Sequence, residues 1–134
     1  MLQQTQVATV IPYWTRWMKE LPSIKSLAEA PEEKVLKLWE GLGYYRRARN
    51  LQKGARMIRE ELGGRFPATL DAVMELPGVG RYTAGAICSI ANNQPAPLVD
   101  GNVIRVLTRV FGIEGDPKQK ETESQLWSTA AALV

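Results

Sequence analysis

With 134 residues, 45% of them hydrophobic, the chain is long enough for one compact domain and too short for two of ordinary size, so it reads as a single domain over residues 1–134. One cysteine, Cys88, excludes an internal disulfide and any cluster of thiolate ligands, and the absence of histidine removes the usual zinc ligands and every Ser/His or Cys/His catalytic arrangement. No apolar run approaches the ~20 residues that cross a bilayer, the start carries no secretory pattern, and a net charge of +3 leans toward an acidic partner, so the expected setting is soluble, reducing and away from membranes.

Strand alternation is absent while helical spacing recurs along the chain, which predicts an all-α fold. Val7, Val10, Ile11, Trp14, Trp17, Met18 and Leu21 follow i, i+3, i+4 steps and predict a first helix that Pro12 either kinks or begins. Pro31 with Glu32 and Glu33 makes a first helical turn, Val35, Leu38 and Trp39 face inward, and Gly41 and Gly43 end that helix. The next helix runs from about Tyr44 to Glu61, where Gly63 and Gly64 stop it. Thr69 caps a short helix to Glu75, a tight turn follows, and another helix spans about 81–91. The stretch "NNQPAP" is a loop by composition, and Val103, Val106, Leu107 and Val110 form the apolar face of the helix after it. A last helix from about Glu121 buries Leu126, Trp127 and Ala130.

Three stretches carry chemistry. "RRARNLQKGARMIR" at 46–59 holds six basic residues and no acid. At ~100° per residue Arg46, Arg49, Lys53 and Arg56 share one face, with Ala48, Leu51, Ala55, Ile58 and Leu62 opposite. A charge run by itself is most often a solvated face. Here "GLGYY" sets Tyr44 and Tyr45 on a glycine-flanked turn beside it, and cations next to aromatic rings suit a nucleic acid, whose phosphates take the charge and whose bases take the rings. In "LPGVGRYTAGAI" the two glycines let the backbone turn tightly before a helix, so that unpaired N–H groups and the helix dipole face a phosphate, and Ala84, Gly85 and Ala86 keep the helix thin enough to pack closely. In "PLVDGNVIRVLTRV" Asp100 stands ahead of an amphipathic helix, which makes it an N-cap and also a held carboxylate of the kind that stabilises an oxocarbenium-like sugar.

The hairpin "LPGVGRYTAGAI" followed by "LVDGNVIRVLTRV", with Asp100 eighteen residues after Tyr82, resembles the helix-hairpin-helix DNA glycosylase superfamily. "MLQQTQVATVIPYW" and "LWEGLGYYRRARNL" narrow the resemblance to the adenine DNA glycosylases of the MutY type, over essentially the whole chain. The resemblance implies the six-helix barrel module, with the helix-hairpin-helix at about 70–91, binding double-stranded DNA and removing adenine mispaired with 8-oxoguanine or guanine. Asp100 matches the catalytic aspartate, and Asn102 the asparagine beside it. Tyr82 stands where the lyase-competent members, such as endonuclease III, carry a Schiff-base lysine; a phenol forms no imine, so a monofunctional glycosylase is implied, with Tyr82 as a hydrogen-bonding support. Gln3 and Gln4 match glutamines that reach toward the lesion, Tyr44 matches the intercalating tyrosine, and Gly78, Val79 and Gly80 match the phosphate-binding hairpin, which in the superfamily often holds a monovalent cation.

The family's general-acid glutamate falls two residues before the position of Met1, its four-cysteine iron-sulfur motif falls after Val134, and its C-terminal 8-oxoguanine-reading domain falls beyond that. One cysteine cannot hold the cluster, so no cofactor is expected in this chain beyond the hairpin cation. Loss of general acid catalysis, typically worth ~100- to 10,000-fold, leaves two expectations, a weak glycosylase or a non-catalytic DNA-binding module or fragment. Its compartment is the bacterial cytoplasm or, in a eukaryote, the nucleus or mitochondrion.

Overall fold

The structure is a computed structural model describing residues 1–2 and 5–134; Gln3 and Gln4 lie outside the described residues. Among the latter there are eight α-helices and no strands: α1 (Val7–Glu20), α2 (Ile24–Glu29), α3 (Glu32–Trp39), α4 (Arg46–Glu61), α5 (Leu70–Met74), α6 (Arg81–Ala86), which runs on as one π-helical stretch (Ile87–Ala91), α7 (Gly101–Phe111) and α8 (Lys120–Ala132). They form two compact units, one of residues 1–67 and 76–78, the other of 68–75 and 79–134.

Helix α4 is the spine of the first unit. Ala48, Ala55 and Ile58 bury as predicted, but Leu51 and Leu62 are exposed, and the buried face is completed by Gln52 and Gly54. The reason is a helix the hydrophobic spacing does not announce. Ser23 and Ser26 cap α2 reciprocally, each side chain accepting from the other's backbone amide. The short helix then lies against α4 and presents its last carbonyls, which have no partners within their own helix. Gln52, 3% exposed, donates its Nε2 to the Ala30 carbonyl at 2.7 Å and the Leu27 carbonyl at 3.3 Å, and Arg56 Nε donates to the Ala28 carbonyl at 3.2 Å. One stripe position, Arg56, therefore serves the fold beside Gln52. Around them pack Trp17, Leu21, Leu27, Val35, Leu38 and Trp39, with the Trp17 and Trp39 rings edge to face at 5.7 Å.

In α1, which contains Pro12, only Val10 and Trp17 of the six predicted apolar positions within the helix bury, joined by Leu21 at its C-cap, while Val7, Ile11, Trp14 and Met18 remain exposed. A similar departure holds in the second unit. In α7 Leu107 buries beside Val103 and Ile104 against Ile113, Leu126 and Ala130, whereas Val106 and Val110 point to solvent. Periodicity finds an apolar stripe, and here the packed stripe is narrower than the apolar one. Helix α8 buries Leu126, Trp127 and Ala130 as expected, and Thr69 caps α5 through the Ala72 amide.

Gln52→Met, close in volume but unable to donate, should lower stability by about 1–3 kcal/mol by stranding two buried carbonyls, read as a lower urea midpoint at unchanged slope. Arg49→Ala, which removes only an exposed ion pair to Glu32, should shift the midpoint by less than about 1 kcal/mol in the same titration.

Candidate active site and nucleic-acid interface

Asp100 is the N-cap of α7, as predicted. Its Oδ1 accepts from the Asn102 amide at 3.0 Å and the Val103 amide at 2.8 Å, so the carboxylate is fixed by two charge-assisted bonds at the positive end of an eleven-residue helix. The second oxygen, Oδ2, has no hydrogen-bond partner among the described residues and stays available. Asn102 touches Asp100 through its backbone; its side chain is exposed at the first turn. Asp100 itself is half-buried.

Tyr82 lies in the first turn of α6, 43% exposed, with Ala84 and Gly85 buried beneath it. Gly85 explains the approach. A Cβ there would strike the Pro97 carbonyl oxygen and press on the Leu98 side chain, so the helix rests directly on the segment leading to Asp100. The small residues thus pack α6 on extended chain. Val73, Ala84, Cys88 and Ala96 form the core beneath, and the π-helical stretch 87–91 in place of regular helix ends in a turn where the Gln94 amide reaches the Cys88 carbonyl. At the start of α6 the Arg81 guanidinium stacks on the buried Trp127 ring at 4.0 Å.

In the turn before α6, Gly78 has φ +77°, and a Cβ on it would collide with the Asn50 side chain. Glycine is required there for both reasons. The amides of Gly78, Val79 and Gly80 donate to no described residue, and Gly80 accepts from the Ala84 amide to open the helix.

On the first unit, Tyr44 stands out by its exposure of 69% and its left-handed backbone, φ +47°. Arg46 and Lys53 are exposed with no ion pair to a described residue, whereas Arg49 Nε holds the Glu32 carboxylate at 2.9 Å. Beside Tyr45 the surface turns acidic along α3, with Glu32, Glu33 and Glu40 around a shallow depression. Glu40 is held below its ordinary carboxylate range by the hydrogen bond from Lys37 and then by that cation's charge, so it is ionised at neutral pH. Sequence spacing overlooked Arg47, whose guanidinium lies over both the Trp39 and the Tyr44 ring. The signal was its place three residues after Tyr44, one helical turn on.

Residues 1–131 match the family described as HhH-GPD superfamily base excision DNA repair protein. The chain belongs to that family. It is 58% identical over 135 residues to the adenine DNA glycosylase of Rattus norvegicus and 57% to that of Homo sapiens, with all of this chain covered and 26% and 25% of those proteins. The adenine DNA glycosylase of Buchnera aphidicola from Acyrthosiphon pisum is 47% identical, with 38% of it covered. This HhH-GPD chain therefore spans between a quarter and two-fifths of the length of these relatives. Among solved structures it superposes on a thermostable thymine-DNA glycosylase with a TM-score of 0.86 at 29% identity, covering 99% of this chain and 61% of that one. A trapped covalent intermediate of endonuclease III with DNA gives 0.78 at 28%, covering 97% and 65%. The helix-hairpin-helix glycosylase fold expected from the sequence is the fold found.

Asp100→Asn should keep the cap and melt within a few tenths of a kcal/mol of the parent, while Asp100→Ala should lose about 0.5–2 kcal/mol. Gly85→Ala, driven against the Pro97 carbonyl, should cost about 1–3 kcal/mol in thermal unfolding.

Proposed function

We propose that this chain is the helical catalytic module of an adenine-directed DNA glycosylase acting on double-stranded DNA, with adenine opposite 8-oxoguanine or guanine as the substrate. The observation that carries the reading is Asp100, pinned by one oxygen and open at the other, at the end of a segment that packs under the Tyr82 helix. The similarity to adenine DNA glycosylases at 47–58% identity supplies the base.

In the reaction the bond between the sugar C1′ and the adenine nitrogen breaks, the base leaves with the bonding electrons and gains a proton, and water adds to the sugar. The sugar passes through a cationic, oxocarbenium-like state, which a fixed carboxylate stabilises without reorganising. Asp100 has that role. Its capping bonds hold the carboxylate in place before the base departs. Tyr82 donates or accepts a hydrogen bond near the reacting sugar and, having no amine, forms no imine with it; the product is an intact abasic strand. Asn102 orients Asp100 through its amide and offers its own side-chain amide at the same helix start.

Binding rests on three groups. Tyr44 enters the base stack from its exposed arch, Gly78, Val79 and Gly80 offer backbone amides to a phosphate, and Arg46 and Lys53, with Arg49 exchanging Glu32 for a phosphate, neutralise the backbone. Carbonyls of Leu76, Pro77 and Gly78 accept no backbone hydrogen bond from a described residue, which suits them to a monovalent cation at the hairpin. An iron-sulfur cluster does not fit this chain, whose one cysteine is fully buried. The target base must leave the stack to reach Asp100.

A single-turnover assay with the protein in excess over a duplex bearing adenine opposite 8-oxoguanine should give strand cleavage only after alkali, abolished in Asp100→Asn. Cleavage without alkali would overturn the monofunctional mechanism, and binding without any cleavage would reduce the chain to a DNA-binding module. In the same duplex Arg46→Ala and Lys53→Ala should each lower the slope of log affinity against log salt by about 0.9, so an unchanged slope in both removes the stripe from the interface.

A further inference from the structure

A tyrosine with φ +47° sits in a region that L residues adopt at a cost, and such a conformation persists only where its surroundings over-determine it. Three successive carbonyls of the Tyr44 arch are each captured. Leu42 oxygen accepts from Arg47 Nη2 at 3.2 Å, Gly43 oxygen from the Trp39 indole at 3.0 Å, and Tyr44 oxygen from the Arg47 amide at 2.9 Å. Arg47 Nη1 also donates to the Met1 carbonyl at 3.1 Å, which ties the first residue to the same point. The guanidinium carbon lies 5.3 Å from the Trp39 ring centre and 5.6 Å from that of Tyr44. One cation thus holds the arch backbone through its N–H groups and lies over both rings.

We propose that Arg47 is the positioning residue that holds Tyr44 projecting for insertion into duplex DNA, acting through the Tyr44 arch and not through a phosphate. The proposal rests on the reading of Tyr44 as the inserted wedge. Its physical content is preorganisation. An unsupported exposed ring samples many rotamers and folds back onto apolar surface, and the complex must recover that freedom; a ring held from beneath by a cation gives up less on binding. Lysine cannot substitute, because a point ammonium neither bridges two carbonyls in a plane nor stacks between rings. Arg47 differs in this from Arg46 and Lys53, which are exposed and carry their charge outward.

The test is a double-mutant cycle read by fluorescence anisotropy on a labelled duplex with an adenine·8-oxoguanine mispair, over a range of salt. Tyr44→Ala should weaken binding roughly ten-fold, within the range for losing one base-stacking ring. Arg47→Met should give most of that loss with the salt slope unchanged, Arg47→Lys should resemble Arg47→Met despite its charge, and Arg47→Met added to Tyr44→Ala should cost nothing more. Trp39→Phe, which frees the Gly43 carbonyl and shrinks the buried ring that Trp17 and Arg47 pack on, should lose a smaller share; Arg47→Lys carries the test if Arg47→Met does not fold. Additive losses, a slope lower by about 0.9, or full rescue by lysine would sink the positioning role and leave Tyr44 as the wedge. Wild-type affinity in Tyr44→Ala would remove the wedge reading and the proposal together.

Discussion

The buried amide of Gln52 organises the first unit. A six-residue helix such as α2 does not hold itself together, since it has more unpaired terminal groups than internal bonds. Its carbonyls reach solvent on one side only, and on the other they meet Gln52 and Arg56 in the middle of α4. This bond sets the register of α2 on α4, and with it which side of α4 faces outward. The polar face of α4 that remains, with Arg46 and Lys53, is the basic surface of the proposed nucleic-acid contact. A leucine in place of Gln52 would satisfy the hydrophobic pattern better and the backbone worse. That trade explains why a glutamine occupies a core position between Ala48 and Ala55.

The second unit solves a different problem, the placement of a carboxylate and a phenol on neighbouring chain segments. Close approach does most of it. With only hydrogen at Gly85, α6 comes down onto the Pro97 carbonyl, so the chain that ends in Asp100 runs beneath the helix that carries Tyr82. The α7 amides then fix the carboxylate with the same two hydrogen bonds that start the helix. In the proposed reaction stability and chemistry would use one residue for compatible reasons, because a helix start wants an anion and so does a sugar cation.

Basic residues in this protein divide by what surrounds them. Arg56 and Arg47 are drawn into carbonyl groups of the fold, Arg49 into an exposed pair with Glu32, Arg81 over Trp127, and Arg46 and Lys53 outward. A run of positive charge is therefore several different things. Guanidinium groups, with planar forks and stackable faces, take the structural posts, and the lysine of the run stays in solvent.

Most helices were legible from periodicity and punctuation, because caps such as Thr69 and Asp100 and stops such as Gly41 and Gly63 act through bonds within a few residues. From sequence alone came the all-α class, the glycine hairpin, the capping carboxylate and the resemblance to the family. Tertiary structure decided what is non-local: α2 docked by Gln52, the solvent exposure of Leu51, Leu62, Val106 and Val110, and the capture of Arg47 beneath Tyr44. Helical spacing reports that residues share a face. Whether that face is covered, and by what, depends on chain tens of residues away, as Gln52 meets Ala30 and Arg47 meets Met1.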